Sequence, residues 1–185
     1  MFESLKEFKP SIYFLLRFLG VYVAGNLLYG LYVESFGDDP DPLTHMVTYQ
    51  TARCLQNFGF DTTARDNTQG PTVFLETDNE IVLGVYEGCN GLNVMIVFVA
   101  FMVAFGGPVK KMLWFIPAGL LIIHIFNLGR ISLLYFVAQR YEEYFYLFHK
   151  YFFTAIIYIV VFLLWTFWVL KIVDVRSKPL PNASE

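Results

Sequence analysis

Charge is in short supply in this chain. Of its 185 residues, 16% are Asp, Glu, Lys or Arg while 56% are hydrophobic, too little charge to solvate an ordinary globular surface. Cysteine is scarce as well. Cys54 and Cys89 are too few for a disulfide framework, though they leave one bridge open. Basic tracts and basic-aromatic interleaving are missing, so nucleic acid is not an expected partner. No His/Cys/Asp/Glu spacing suits a metal and no Gly-rich loop suits a nucleotide, so no cofactor is expected. Neither internal repeats nor paired broken spans are visible, which speaks against a transporter. The basic start at Lys6 and Lys9 is not followed by a small-residue cleavage site. It therefore reads as the flank of a retained first span rather than of a signal peptide.

Long apolar runs fill the space left by charge. A helix crossing the hydrocarbon core needs roughly 20 mainly apolar residues. Four segments approach this, at about 13–33, 90–106, 112–130 and 150–170. The expected fold is an all-α integral membrane protein with about four transmembrane helices. It forms a single polytopic domain over residues 1–176, with a disordered cytoplasmic tail at 177–185. Gly106-Gly107-Pro108 closes the second span, which is short unless Gly88–Gly91 enters the membrane. Asn127, Gly129 and Arg130 interrupt the third. A charge at mid-bilayer costs about 3 kcal/mol on insertion scales, which puts Arg130 at that span's outer end.

Basic flanks set the orientation. Lys6, Lys9 and Arg17, then Lys110-Lys111, then Lys171, Arg176 and Lys178 fall on one side of a four-span chain. By the positive-inside rule that side is cytoplasmic, as are both termini, in a multi-pass protein of the cell inner membrane. The outer side receives the acidic loop 34–88. Within it, Leu43, Met46, Val47, Cys54, Leu55 and Phe58 recur at helical spacing, predicting an amphipathic helix at the membrane surface. Thr72–Leu75 and Ile81–Tyr86 flank Thr77-Asp78-Asn79-Glu80 as a short hairpin leading into Gly88.

With that topology, three reactive side chains distant in sequence share one depth. Cys89 stands at the outer mouth of span two, Arg130 at the outer end of span three and His149 at the outer start of span four. Singly, each has a structural explanation: a small packing residue, an interfacial anchor, a headgroup-level polar group. Together they suit acyl transfer. A thiolate is a strong nucleophile whose pKa a nearby cation or a helix N-terminus lowers. Histidine can take the thiol proton and return one to a leaving amine. A guanidinium can donate to the oxyanion of a tetrahedral intermediate. Asn90, Gly91 and Asn127 are candidate substrate-binding residues beside them, with Gly88 and Gly91 allowing close backbone approach. His124, roughly two turns below Arg130, reads as a buried hydrogen-bonded histidine. A non-enzymatic scaffold or assembly factor binding an envelope protein through the acidic loop is the alternative.

Glu87-Gly88-Cys89-Asn90-Gly91-Leu92, Asn127-Leu128-Gly129-Arg130-Ile131 and Phe148-His149, in that order at span ends, resemble the exosortase/archaeosortase family of membrane cysteine transpeptidases. The compact form is most similar to the exosortase F type. The resemblance implies Cys89 as nucleophile, His149 as general acid/base and Arg130 as oxyanion or substrate stabiliser. It also implies a protein substrate with a C-terminal motif, a hydrophobic helix and a basic tail. That substrate would be cleaved through a thioacyl-enzyme and passed to an envelope acceptor. Membrane lipid surrounds such a protein, and an accessory envelope protein could help it capture substrate.

Overall fold

Pro10 stands in the first turn of helix α1, Lys9–Glu34, where a missing N–H costs nothing. The structure is a computed structural model describing residues 8–173. The tail expected at 177–185 lies outside the described residues, as do Lys6, Arg176 and Lys178. Along α1, Leu15, Leu16, Leu19, Val23, Leu27 and Leu28 are exposed, a face that only lipid solvates well. Its other side packs on α3, Leu92–Phe105, where Gly25 sits under Ile96 and Phe14 meets Phe101 edge to face.

Helix α4, Val109–Arg140, and the helical segment α5, Glu142–Ile172, complete the bundle. Among the described residues, α1, α4 and α5 are long and apolar enough to cross a membrane. Helix α3 has 14 residues. That is about 21 Å at 1.5 Å per residue, short of a hydrocarbon core of about 30 Å. Gly119 makes the α3–α4 crossing close, because a Cβ there would stand 2.3 Å from Cζ of the fully buried Phe98. The break expected at Asn127, Gly129 and Arg130 is absent, and α4 runs on to Arg140. Asn127 and Arg130 find polar partners inside the fold, so the helix need not end to satisfy them.

The far ends of these helices identify one face of the bundle. Lys111 Nζ donates to the carbonyl of Ile172 at 3.1 Å, and Trp168 Nε1 to that of Gly106 at 3.1 Å. A groove there joins Pro10 and Arg17 to Ala104 and Phe105. The described basic clusters of α1, of the α3–α4 turn and of the end of α5 thus gather at a single end.

The expected loop helix is α2, Pro42–Asn57, capped by Asp41, whose carboxylate accepts from the backbone N–H groups of Leu43 and Thr44. It packs on α4 and on a small sheet. Val47 and Leu55 are buried there as their spacing predicts, but Met46 and Phe58 are exposed. Threonines occupy much of the packed face. Thr48 and Thr51 return their hydroxyls to the carbonyls of Thr44 and Val47, at 2.8 and 2.9 Å, leaving methyls to pack.

Three antiparallel strands follow in order β1 Thr63–Asp66, β2 Thr72–Thr77 and β3 Glu80–Tyr86. The hairpin read from sequence is β2–β3. Asp78 and Asn79 both take positive φ, which a tight two-residue turn demands. Strand β1 was not expected. Val73 opposite Val85 and Leu75 opposite Leu83 form the buried face, from which Leu75, Leu83 and Val85 join Val47, Leu55, Ile131, Leu134 and Cys89 in a core beside the sheet. A second core, around Phe98, Phe115, Ile123, Val161 and Trp168, fills the bundle nearer its basic end. On the extension of α4, Tyr135 holds the sheet: its hydroxyl accepts from Thr62 at 3.0 Å and from Gln139 at 2.9 Å. Strand β3 then delivers Tyr86 and Glu87 directly to the turn carrying Cys89.

Candidate active site

A tight turn, Glu87–Cys89, connects β3 to α3, and Gly91 caps the helix with φ of 87°. Only glycine takes that conformation cheaply. A Cβ at Gly91 would stand 3.0 Å from Cγ of Asn127, and one at Gly88 would strike the ring of Tyr86. Both glycines therefore serve close approaches within the fold. Gly91→Ala should cost about 1–2 kcal/mol in left-handed strain and displace Asn127. Thermal unfolding in detergent together with a thiol-reactivity assay would register both effects. Unchanged reactivity of Cys89 would show that this contact does not set the thiol.

Cys89 Sγ lies 3.5 Å from Nε2 of His149, across 60 positions of sequence. The turn that carries His149 is a π-turn, Phe148–Phe152, wider than an α-helical one, with Thr154 Oγ1 donating to the His149 carbonyl at 3.1 Å. Such bulges recur at functional sites because they re-aim a side chain without ending the helix. Phe145 stacks on the imidazole, with ring centroids 5.7 Å apart. A cavity of about 110 Å³ opens beside the pair, lined by Tyr86, Cys89, Ile131, Leu134, Phe145 and His149 among others.

Arg130 completes the cluster from α4. Its Nη1 donates to Asn127 Oδ1 at 3.4 Å, and Asn127 Nδ2 donates to the Cys89 carbonyl at 3.0 Å. The Nε of Arg130 is buried and has no hydrogen-bond partner among the described residues. Arg130 does not line the cavity beside Cys89 and His149 but an apolar pocket with Leu133, Phe153 and Ile156, and a buried guanidinium donor left unpaired is costly.

The electrostatics differ from the sequence expectation in one respect. Burial pushes the Cys89 thiol above its ordinary pKa. The Arg130 charge and the backbone and phenol of Tyr86 pull it back only in part. A cation and a helix N-terminus argued for a depressed value, but a thiol only 5% exposed loses more solvation than they return.

Chemistry-bearing residues met in sequence thus divide into two groups. Cys89, Arg130 and His149 come together. Asn90 and Asn127 are buried, and their amides are bonded to the protein itself rather than turned to the cavity. Glu87 contributes its carbonyl, which accepts from Tyr29. His124 finds Gln50 of α2 at 2.7 Å, a hydrogen bond of the kind anticipated for it. Cys54 and Cys89 are both free thiols. Among the described residues no cluster of His, Cys, Asp or Glu could hold a metal ion. The place of Tyr86 beside the thiol and the π-turn escaped the sequence reading. Phe145 stood out in sequence only as one of the aromatics Tyr135, Tyr141, Tyr144, Phe145 and Tyr146, which read first as an interfacial belt and second as a substrate grip.

The sequence model of the transmembrane exosortases matches residues 12–170. The chain belongs to that family. The match covers every element described above except the outermost turns of α1 and α5, so the Cys89–His149–Arg130 cluster lies within the family's own region. No curated protein and no solved structure matches the chain. As an exosortase-family member it is a multi-pass membrane protein, and its family assignment supports a role in processing sorting signals.

Proposed function

We propose that this exosortase-family protein is a cysteine transpeptidase of the cell inner membrane. It would cleave a C-terminal sorting signal from envelope-targeted proteins through a thioacyl-enzyme. The observation carrying this reading is the 3.5 Å approach of Cys89 Sγ to His149 Nε2. Their neighbour Arg130 adds an unoccupied buried donor.

The chemistry follows from the charges. Because burial keeps the thiol protonated at rest, attack needs a base at the moment of bond formation. His149 takes the Cys89 proton as Sγ adds to the scissile carbonyl, and Arg130 donates to the resulting oxyanion. His149 then returns the proton to the departing amine as the C–N bond breaks, leaving a thioester on Cys89. An acceptor nucleophile adds to that thioester, again losing its proton to His149. Collapse expels the thiolate, which is reprotonated from His149, and the sorted protein leaves joined to the acceptor.

The substrate that suits this arrangement carries a short motif, an apolar helix and a basic tail. Its helix would lie in the bilayer beside the spans. Its basic tail would share the cytoplasmic end with Lys110, Lys111 and Lys171, and the motif would reach the opposite, outer face. Both termini of the enzyme would be cytoplasmic. Surrounding lipid, and an accessory envelope protein where one is used, would hold the substrate near the site. Asn90 and Asn127 act here by holding the Cys89 loop.

Comparison of mature envelope proteins from cells with the parent chain and with Cys89→Ala, by mass spectrometry of their C-termini, tests the reading. Loss of one class of truncated, modified C-termini is expected. Identical C-termini in both cells would leave Cys89 without a catalytic part and return the scaffold alternative.

A further inference from the structure

On the side of the Cys89 loop away from His149, four buried polar groups from three separate elements form one hydrogen-bonded chain. Tyr29 of α1 donates its hydroxyl to the carbonyl of Glu87 at 3.0 Å. Asn90 Nδ2 donates to that same hydroxyl at 2.8 Å and to Thr44 Oγ1 of α2 at 3.2 Å. Thr44 passes its own hydroxyl proton to Asp41 Oδ2. Asp41, 3% exposed, also accepts two backbone N–H groups. Asn90 Oδ1 accepts from Leu92 N at 2.9 Å.

Donor directions agree throughout. The two amide protons of Asn90 go one to tyrosine and one to threonine, and each hydroxyl then has its single proton free to give onward. No group is left wanting, although Asp41, Thr44 and Asn90 are all buried. A fully satisfied buried network of this kind specifies one geometry, because any displacement orphans several groups at once. One end of it falls on the backbone that flanks the nucleophile, at Glu87 and Leu92, and the other on Asp41. Glu87 O and Leu92 N are held from this side, and Cys89 O is held by Asn127 from the other.

We infer that Asp41, Thr44, Tyr29 and Asn90 are positioning residues that hold the Cys89 turn in its buried, His149-facing conformation. The first span and the loop helix would thereby become parts of the catalytic device. The inference rests on Cys89 being the nucleophile, and it concerns residues that act only through the backbone on either side of it.

The same network predicts two readouts moving in opposite directions. Burial is the main influence holding the thiol up, ahead of the opposing Arg130 and Tyr86 and the reinforcing Glu87, with His149 in contact. A loosened turn would therefore expose Sγ and let its pKa fall toward the ordinary value. It would also take Sγ out of line with His149. The full chain with Cys54→Ser in detergent leaves Cys89 as the one thiol for iodoacetamide.

In that background Tyr29→Phe and Thr44→Val should speed alkylation at pH 7 by about threefold or more and lower its pH midpoint. Processing in cells should slow by about tenfold or more, as displacement of a reacting group demands. Thr44→Ser, which keeps the hydroxyl, should restore both. If alkylation rate and midpoint match the parent while only thermal stability falls, the network is ordinary scaffolding and the inference is overturned. Parent-like processing in Tyr29→Phe and Thr44→Val would overturn it equally. Processing that survives Cys89→Ala would instead remove the nucleophile assignment, with the alkylation data still reporting whether the turn is held.

Discussion

Under the proposed mechanism, Cys89→Ala should insert and fold like the parent but leave the sorting signal attached, with processing reduced by about three orders of magnitude or to nothing measurable. The stability side of this expectation comes from packing. Cys89 is a small buried member of the core beside the sheet, and trimming its sulfur removes little apolar surface, a cost on the order of 1 kcal/mol. The activity side comes from geometry. Among the described residues the other thiol, Cys54, lies on α2 away from the His149 cavity, so no substitute nucleophile is at hand. Quantitative immunoblotting of membrane fractions would establish equal abundance, and mass spectrometry of the substrate's C-terminus would measure processing. Cys89→Ser should be nearly as inactive. Its hydroxyl is a far weaker acid than a thiol, in a pocket whose burial already opposes ionisation. Sustained processing by either variant at parental rates would exclude a thioester on this residue.

Arg130 offers the second large effect, and its variants separate shape from charge. The guanidinium holds Asn127 through Nη1, its buried Nε has no hydrogen-bond partner among the described residues, and the proposed mechanism gives that donor to an oxygen of the reacting group. Lysine has one nitrogen for both tasks, so Arg130→Lys should lose on the order of 10²–10³ in rate, the range for removal of an oxyanion donor. Its positive charge persists, and the pH dependence of Cys89 alkylation should stay near that of the parent. Arg130→Gln removes the charge as well. Because Arg130 opposes the rise of the thiol pKa, its loss should move the alkylation midpoint to higher pH. Thiolate would then be scarcer at neutral pH and alkylation slower there. A parental turnover rate in Arg130→Lys would assign the residue to anchoring alone. An unmoved midpoint in Arg130→Gln would show that its charge does not reach the sulfur.

The membrane character, the order of the helices and the convergence of Cys89, Arg130 and His149 were legible because each leaves a local mark. Long apolar runs fix spans, basic flanks fix which ends lie together, and a lone charge such as Arg130 cannot stand far inside hydrocarbon. The hairpin was legible from Asp78-Asn79, whose small polar side chains tolerate positive φ. Strand β1 was not, because Thr63-Ala64-Arg65-Asp66 has no apolar alternation and is held by pairing with β2. Helix α2 was legible from its apolar spacing, but the threonines that pack it on α4 and the sheet were not, since threonine methyls count as polar in any hydropathy pattern. The ends of α4 were hidden for a related reason. Asn127 looks like a breaker until the Cys89 loop is folded alongside it, and Arg130 then bonds back to Asn127 within the helix. The raised thiol pKa was out of reach for sequence, because burial is a property of neighbours brought in from α4, α5 and the sheet.

The shortness of α3 has a mechanical corollary for any substrate. Where lipid meets this 14-residue helix, packed among α1, α4 and α5, the bilayer would thin or the turn that carries Cys89 would sink into it. A signal helix of ordinary length sliding up beside it would then find its uppermost turn outside the hydrocarbon. There its backbone bonds can exchange with water and fray. A peptide bond still wound in a helix is shielded from attack, whereas a frayed turn presents its carbonyl in extended form at the depth where Cys89 waits. The protein would thus prepare its target by the local shape of the bilayer, before any side chain touches it.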